Sequence, residues 1–394
     1  MYKKKYIILK YLFKEIKENP SIIFFIVGTF LFWVSLYLYV TILPNHAKAI
    51  GASSTMIGYI IASYAIGQMF LRIPLGYAVD KWGTKPFAIL TMVCSATGSF
   101  GLALADNSFE IFLARSITGV AGAGWVAISV LFASQFKTEF LHYATSFMMG
   151  INGIAITMAT LISGRMADMF GISTPFYSSV CVSILGIFVL FFSKEPRNNP
   201  HKAINLMFII KNNTLIRVSI IAIGFHFVTF GVTLGFLPII IENLGGSKTN
   251  IGDITTLSQV AAIAGMSLSA FFINRLGIRI TIFLGSISMF CSLILTAYVE
   301  NLFIIAALQF VAGFGRGILY TVTITLILTS FNKESRGVAM GAYQAFYAIG
   351  MFLGPALSGL IVNLFGINAI FWISSLITLI AMIIGVYKPY KSNL

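Results

Sequence analysis

The landmarks of this chain occur twice, at a constant separation. Leu43-Pro44, Gly51-Ala52-Ser53 and Ile57-Gly58 return as Leu237-Pro238, Gly245-Gly246-Ser247 and Ile251-Gly252, each displaced by 194 residues (44 to 238). The run Asp80-Lys81-x-Gly83-x-Lys85 returns as Asn274-Arg275-x-Gly277-x-Arg279 at the same displacement, and Asp106 falls on Glu300. At 195, the stretch from Gly164 to Tyr177 matches that from Gly359 to Trp372. A register held across most of each half is an internal duplication, so the fold must be two similar units. Their expected bounds are 1–193, including a basic tail over 1–20, and 218–394. A polar linker over 194–217 joins them.

Apolar residues make up 58% of the chain and charged residues 10%, against about a quarter charged in soluble domains. A helix crossing a bilayer needs about 20 apolar residues. Twelve such stretches are read, over 21–43, 55–79, 86–105, 109–133, 143–166, 175–193, 218–240, 250–273, 280–299, 302–328, 337–362 and 368–387. They predict an all-α integral membrane protein with twelve transmembrane helices in two pseudo-symmetric six-helix bundles, embedded in a lipid bilayer. Repeats in an all-apolar chain are the mark of secondary transporters, whose site lies where the halves meet.

The net charge of +14 is a topology signal and implies no nucleic-acid partner. Of the 26 Lys and Arg, only Lys48, Arg165 and Lys248 fall on the side opposite the N-terminal tail, while Arg72, Arg115 and Arg316 lie within spans. By the positive-inside rule both termini are cytoplasmic, and the expected location is the cytoplasmic membrane of the cell. Cys94, Cys181 and Cys291 sit singly in three different spans. No metal site and no cofactor is expected.

Gly76-x-x-x-Asp80-Lys81-x-Gly83-Thr84-Lys85 connects the second and third spans. It resembles the signature loop of the major facilitator superfamily, G-x-x-x-D-R/K-x-G-R/K-R/K, with Thr84 at a position usually basic. Its second copy is Asn274, Arg275, Gly277 and Arg279. Gly83 allows a tight turn. The resemblance implies that Asp80 latches the halves together on the cytoplasmic side in the outward-open state. The plain alternative is a loop retained by its positive charge.

Arg115 with Gly119, Ala121, Gly122 and Ala123 is similar to the family's fourth-helix motif, and Gln309 with Gly313 holds the matching place in the tenth span. Gly354-Pro355 looks like the family's Gly-Pro bend in the eleventh. Exporters usually carry a copy in the fifth span, where this chain has Gly153 and no proline. Arg72-Ile73-Pro74-x-Gly76 is familiar from efflux-type bacterial members. The resemblance implies alternating access, with spans 1, 4, 7 and 10 lining a central cavity.

All twelve carboxylates fall in loops or within about one turn of a span end. Arg316 stands near the middle of the tenth span and His226 near the middle of the seventh. Burying an arginine there costs about 2.5–3.5 kcal/mol on insertion scales, so a partner or a cavity must compensate. Gln309, Arg316, Tyr320 and Thr323 share one helical face, as do His226, Thr229, Phe230 and Thr233. Tyr37 with Trp33, and Tyr347 with Gln344 and Met351, form mixed stripes.

The candidate substrate-binding residues are therefore Tyr37, Arg115, His226, Gln309, Arg316, Tyr320, Gln344 and Tyr347. The plain readings are a structural cation for Arg115, a core histidine for His226 and simple packing for the aromatics. An unperturbed imidazole titrates near pH 6.5, which makes His226 the candidate for coupling to protons. Excess positive charge in a low-dielectric pathway attracts anions. The expected cargo is a small amphipathic, anionic solute, moved outward by a monomer. The alternatives are proton-coupled or facilitative uptake of a sugar or organic acid, and multidrug efflux. An enzyme would need a nucleophile–base pair or metal ligands in a cavity, and a non-transporting receptor would usually add soluble domains. Neither feature is read here, so no enzymatic activity is expected.

Overall fold

The computed structural model describes residues 21–133, 135–136, 141–193, 209–332 and 335–387. The basic tail over 1–20 and most of the linker lie outside them, as does the side chain of Asp80. Among the described residues the architecture is wholly helical. The first half holds α1 (Ser21–Tyr37), α2 (Leu43–Ala49), α3 (Ser54–Trp82), α4 (Lys85–Leu104), α5 (Ser108–Ala123), α6 (Trp125–Ala133), α7 (Leu141–Phe170) and α8 (Thr174–Phe191). The second half holds α9 (Asn213–Phe227), a π-helical segment (Val228–Phe236), α10 (Leu237–Asn243), α11 (Lys248–Thr296), α12 (Leu302–Ser330), α13 (Arg336–Phe365) and α14 (Ala369–Tyr387).

Ten helical stretches are long and apolar enough to cross a membrane, and α1 is a shorter apolar helix. One of the ten, α11, has 49 residues. At 1.5 Å per residue it would reach about 73 Å, more than twice the ~30 Å of bilayer hydrocarbon. It is not one rod, because Gly277 at φ 80° and ψ 164° turns the chain inside it. The arms on either side of Gly277 take the places of the two apolar stretches read at 250–273 and 280–299.

The duplication is written into the backbone. Every described residue with positive φ is glycine, and the six form pairs: Gly51 with Gly245, Gly83 with Gly277, and Gly171 with Gly366. Gly83, at φ 89° and ψ 163°, has nearly the conformation of Gly277. Helix starts pair too. Ser53 and Ser247 accept from the backbone N–H of Met56 and Asn250, while Asn107 and Asn301 each accept two N–H groups of the following turn. These caps satisfy donors that no helix can satisfy internally.

The last cation of each motif copy also has a matching duty. Lys85 Nζ donates to the carbonyls of Phe191 (2.6 Å) and Ser193 (2.7 Å), and Arg279 donates to that of Tyr387 (3.3 Å). Each thus sits at the negative end of the last described helix of its half, α8 or α14. Gly83→Val is expected to cost about 1–3 kcal/mol of backbone strain and to lower the melting temperature in detergent. Gly76→Ala is the control, since a Cβ there meets nothing within 4 Å.

Within the halves, small residues admit close helix crossings. A Cβ on Gly119 would stand 2.6 Å from the Tyr64 carbonyl, and Gly313 crowds the backbone of Ser258 in the repeat-related place. Buried serines bind α1, α4 and α8 together: Ser35 to Ser95 (2.9 Å), Ser183 to Ser95 (3.0 Å) and Ser99 to Ser179 (2.7 Å).

Several boundaries differ from those that hydropathy suggests. α1 stops at Tyr37 although the apolar run continues to 43, and the fourth span breaks at Gly124 between α5 and α6. α9 begins at Asn213, inside the segment read as linker, because Asn212 caps it. Hydropathy senses where the chain is oily, whereas caps and prolines decide where a helix begins and ends.

Candidate functional site

Both halves lose α-helical geometry at the same place. In the first, the chain turns through residues 38–42 between α1 and α2. In the second, residues 228–236 form a π-helix, and a displacement of 194 carries the first region into the second. Pro44 and Pro238 follow closely, each at the start of the next helix. A proline supplies no N–H to the carbonyl four residues earlier and its ring clashes with it. One repeat answers by unwinding and the other by widening. Non-α backbone at membrane depth is tolerated where protein surrounds it, and all of the π segment except Thr229 is buried. The stretch Asn213–Asn243 is the most enclosed of the long apolar segments.

α13 packs directly on this segment. A Cβ on Gly231 would lie 2.7 Å from the Gly354 carbonyl and equally close to Ser358 Oγ. Gly354 therefore serves close approach, and α13 runs unbroken through Pro355.

The ionisable and aromatic side chains collect beside the π segment. Arg316 of α12 is 9% exposed and donates to the Ser258 carbonyl (3.3 Å) and to the side-chain oxygen of Gln259, both on α11. It lines a small crevice with Val228, Thr229, Thr233, Met289, Ala312 and Gly313. Arg72 of α3 reaches across from the other half. It donates to Gln344 Oε1 (3.2 Å), to the Tyr347 hydroxyl (3.1 Å) and to Gln68 Oε1. The Tyr347 ring stacks on His226 with centroids 4.1 Å apart and planes within 2°. His226 Nδ1 lies 2.9 Å from the Ala222 carbonyl.

Tyr37 is within electrostatic reach of Arg115, Arg316 and Tyr347, and Tyr320 of Tyr347, Arg72 and Tyr37. Trp33 packs against Tyr37 (5.8 Å) and Trp125 (4.9 Å). The structure thus gathers Tyr37, His226, Arg316, Tyr320, Gln344 and Tyr347 from both halves.

Two candidates are placed differently. Arg115 is 2% exposed, donates to the Tyr39 hydroxyl (3.0 Å) and Thr118 (3.2 Å), and lies 4.2 Å from the centroid of the Tyr64 ring. That is an internal cation–π seat within the first half. Gln309 is 1% exposed, and its side-chain oxygen is buried without a partner. Three residues outside the candidate set join the site: Arg72, Gln68 and Gln259. The Gln68–Arg72 pair was readable as an i, i+4 contact. Gln259 was visible only as a polar residue in an apolar span. Of the motif residues, Lys81 lies 5.2 Å from the Trp82 ring centroid and Arg275 6.0 Å from that of Phe271.

On the face opposite the motif, a seam closes the halves against each other. Asn45 donates to Glu242 (2.7 Å) and the Pro238 carbonyl (3.2 Å), and Lys48 donates to Asn243 (2.8 Å). Arg165 pairs with Asp253 at 2.6 Å, Thr160 meets Thr256 at 2.8 Å, and Asp168 caps α11 through the N–H groups of Lys248 (3.1 Å) and Thr249 (2.7 Å). Glycine contacts are exchanged between the halves. Gly58 lies against Gly359, and the repeat partner of each, Gly252 and Gly164, lie against one another.

A duplicated, apolar helical fold enclosing a charged and aromatic cluster between its halves defines a membrane transporter. The sequence profile of the Major Facilitator Superfamily matches residues 25–217 and 219–393, and the chain belongs to that superfamily. It is 24% identical over 386 residues to the multidrug resistance protein MdtG of Proteus mirabilis, covering 93% of this chain and 94% of that one. It is also 24% identical over 323 residues to the cis,cis-muconate transport protein of Acinetobacter baylyi, covering 77% of each. A crystal structure of the nucleoside transporter NupG shares the fold, with a TM-score of 0.81, 14% identity and coverage of 93% of this chain and 99% of that one.

Proposed function

We propose that this superfamily transporter exports a small amphipathic anion across the cytoplasmic membrane by alternating access. In this reading the chain makes twelve crossings with both termini in the cytoplasm. The observation that carries it is the pairing of two buried guanidiniums, Arg72 and Arg316, with neutral oxygens instead of carboxylates. Neutral acceptors satisfy hydrogen bonds but leave the charge uncancelled, and an oxyanion completes both needs. Among the described residues, the carboxylates of Asp168, Glu242 and Asp253 are engaged at the seam.

The seam closes the outer face, and the state is inward-facing. The multidrug-resistance relative and the Arg72-Pro74 element support export, and the muconate relative supports an acidic cargo. In this reading protons are the coupling ion, and His226, stacked on the Tyr347 ring that Arg72 holds, is the residue whose replacement tests the coupling.

Flux in proteoliposomes tests it. Labelled organic anions should move and lipophilic cations should not, with an imposed proton gradient driving accumulation. His226→Gln should remove the dependence on pH while leaving exchange intact. Transport confined to cations would overturn the anionic reading, and pH dependence that survives His226→Gln would move coupling elsewhere.

A further inference from the structure

Arg72 and Arg316 are alike in more than charge. Each is 9% exposed, each sits on a membrane-spanning helix, and they come from different halves of the duplication. His226 stacks on the Tyr347 ring that Arg72 holds, and Thr229, three residues further on, lines the crevice of Arg316. Each guanidinium is held by a glutamine oxygen, Gln259 for Arg316 and both Gln68 and Gln344 for Arg72. Around Arg72 the hydrogen bonding is incomplete. Its Nε and the side-chain nitrogen of Gln68 are buried donors without a partner. Buried donors are rarely left unmatched, and those that are call for an explanation. Two unmatched donors beside an uncancelled charge describe a place short of an acceptor.

We propose that Arg72, with Gln68 and Tyr347, is a second oxyanion subsite, and that the preferred cargo is a dianion bridging Arg72 of one half and Arg316 of the other. This rests on the anionic cargo proposed above and specifies its charge. A monoanion satisfies one guanidinium and leaves the other as it is. A dianion replaces neutral partners at both, and charge-assisted hydrogen bonds are roughly twice as strong as neutral ones. Because the halves contribute one arginine each, such a cargo is held fully only when both are correctly placed about it.

The test compares dicarboxylates with their own monomethyl esters, which change charge and little else. The probes are terephthalate and cis,cis-muconate with the corresponding monoesters, titrated calorimetrically into purified protein in detergent. Wild type should bind each diacid at least about tenfold more tightly than its monoester. Arg72→Gln should bring the diacid down to the monoester's affinity, a much larger loss than the monoester itself suffers, and Arg72→Lys should restore part of the preference. Gln344→Glu leaves the arginine in place and neutralises it, so it should erase the preference as well and covers the case in which Arg72→Gln does not fold. Arg316→Gln should weaken both members of each pair. Equal affinity of diacid and monoester in wild type would overturn the subsite, as would an equal loss of both in Arg72→Gln, which marks a tie between the halves. A panel in which no anion binds would overturn the anionic reading beneath it.

Discussion

Arg316→Ala is expected to lower transport of an anionic solute by about 10- to 100-fold while leaving expression and melting temperature close to wild type. A hydrogen bond to a charged group is worth about 1.5–3 kcal/mol, and each 1.4 kcal/mol is tenfold in affinity. Arg316→Lys should recover only part of the loss, because an ammonium cannot grip an oxyanion with two parallel bonds. The competing role is mechanical. Arg316 bonds the Ser258 carbonyl and Gln259, so it also joins α12 to α11. If that were its whole purpose, Arg316→Ala would depress thermal stability for every cargo alike. A well-folded Arg316→Ala protein that moves its anion at the normal rate would sink the substrate-binding role.

Gly58→Val and Gly359→Val are each expected to hold the seam open and stop the transport cycle. A Cβ on either residue would stand 3.0 Å from the Cα of the other. The obstruction is backbone, which cannot rotate aside as a side chain can. Overpacking costs about 1–3 kcal/mol, and the upper end of that range shifts a two-state population by about 100-fold. Only the closed-seam state bears the cost, so the protein should accumulate in the other. Distances between spin labels on α2 and α10 should lengthen, and flux should fall in proportion. Gly341→Val is the control, since its Cβ meets nothing within 4 Å and the labels should not move apart. Unchanged distances in Gly58→Val would show that the seam does not need this close approach.

The superfamily was legible in the sequence because its physical requirements are local. A span needs about 20 apolar residues, a cap needs its asparagine or serine, and a left-handed turn needs its glycine. The paired positions Gly51 and Gly245, Gly83 and Gly277, and Gly171 and Gly366 satisfy the last of these by sequence alone. The polar stripes on spans 7, 10 and 11 were equally legible, since helical spacing places residues on a face without knowledge of neighbours. Spacing does not say which neighbour that face meets. Arg115 and Arg316 both read as intramembrane cations, yet one is enclosed by Tyr39, Tyr64 and Thr118 of the first half while the other bonds Ser258 and Gln259 of the second and lines a crevice there. The partners of Arg316 lie 57 and 58 residues away in the chain, beyond any periodicity.

By itself, then, the sequence determined the membrane-embedded helical class, the duplication, the turn glycines and the stripe residues, all of which depend on chain-local geometry and solvent preference. Tertiary structure alone decided the rest. It set which arginine shares the junction with His226, how two prolines produce a turn in one half and a π-helix in the other, and how Gly58 meets Gly359 while Gly252 meets Gly164. Those outcomes depend on how one half is rotated against the other, and that rotation is fixed by packing summed over many helices, which no single stretch of sequence carries.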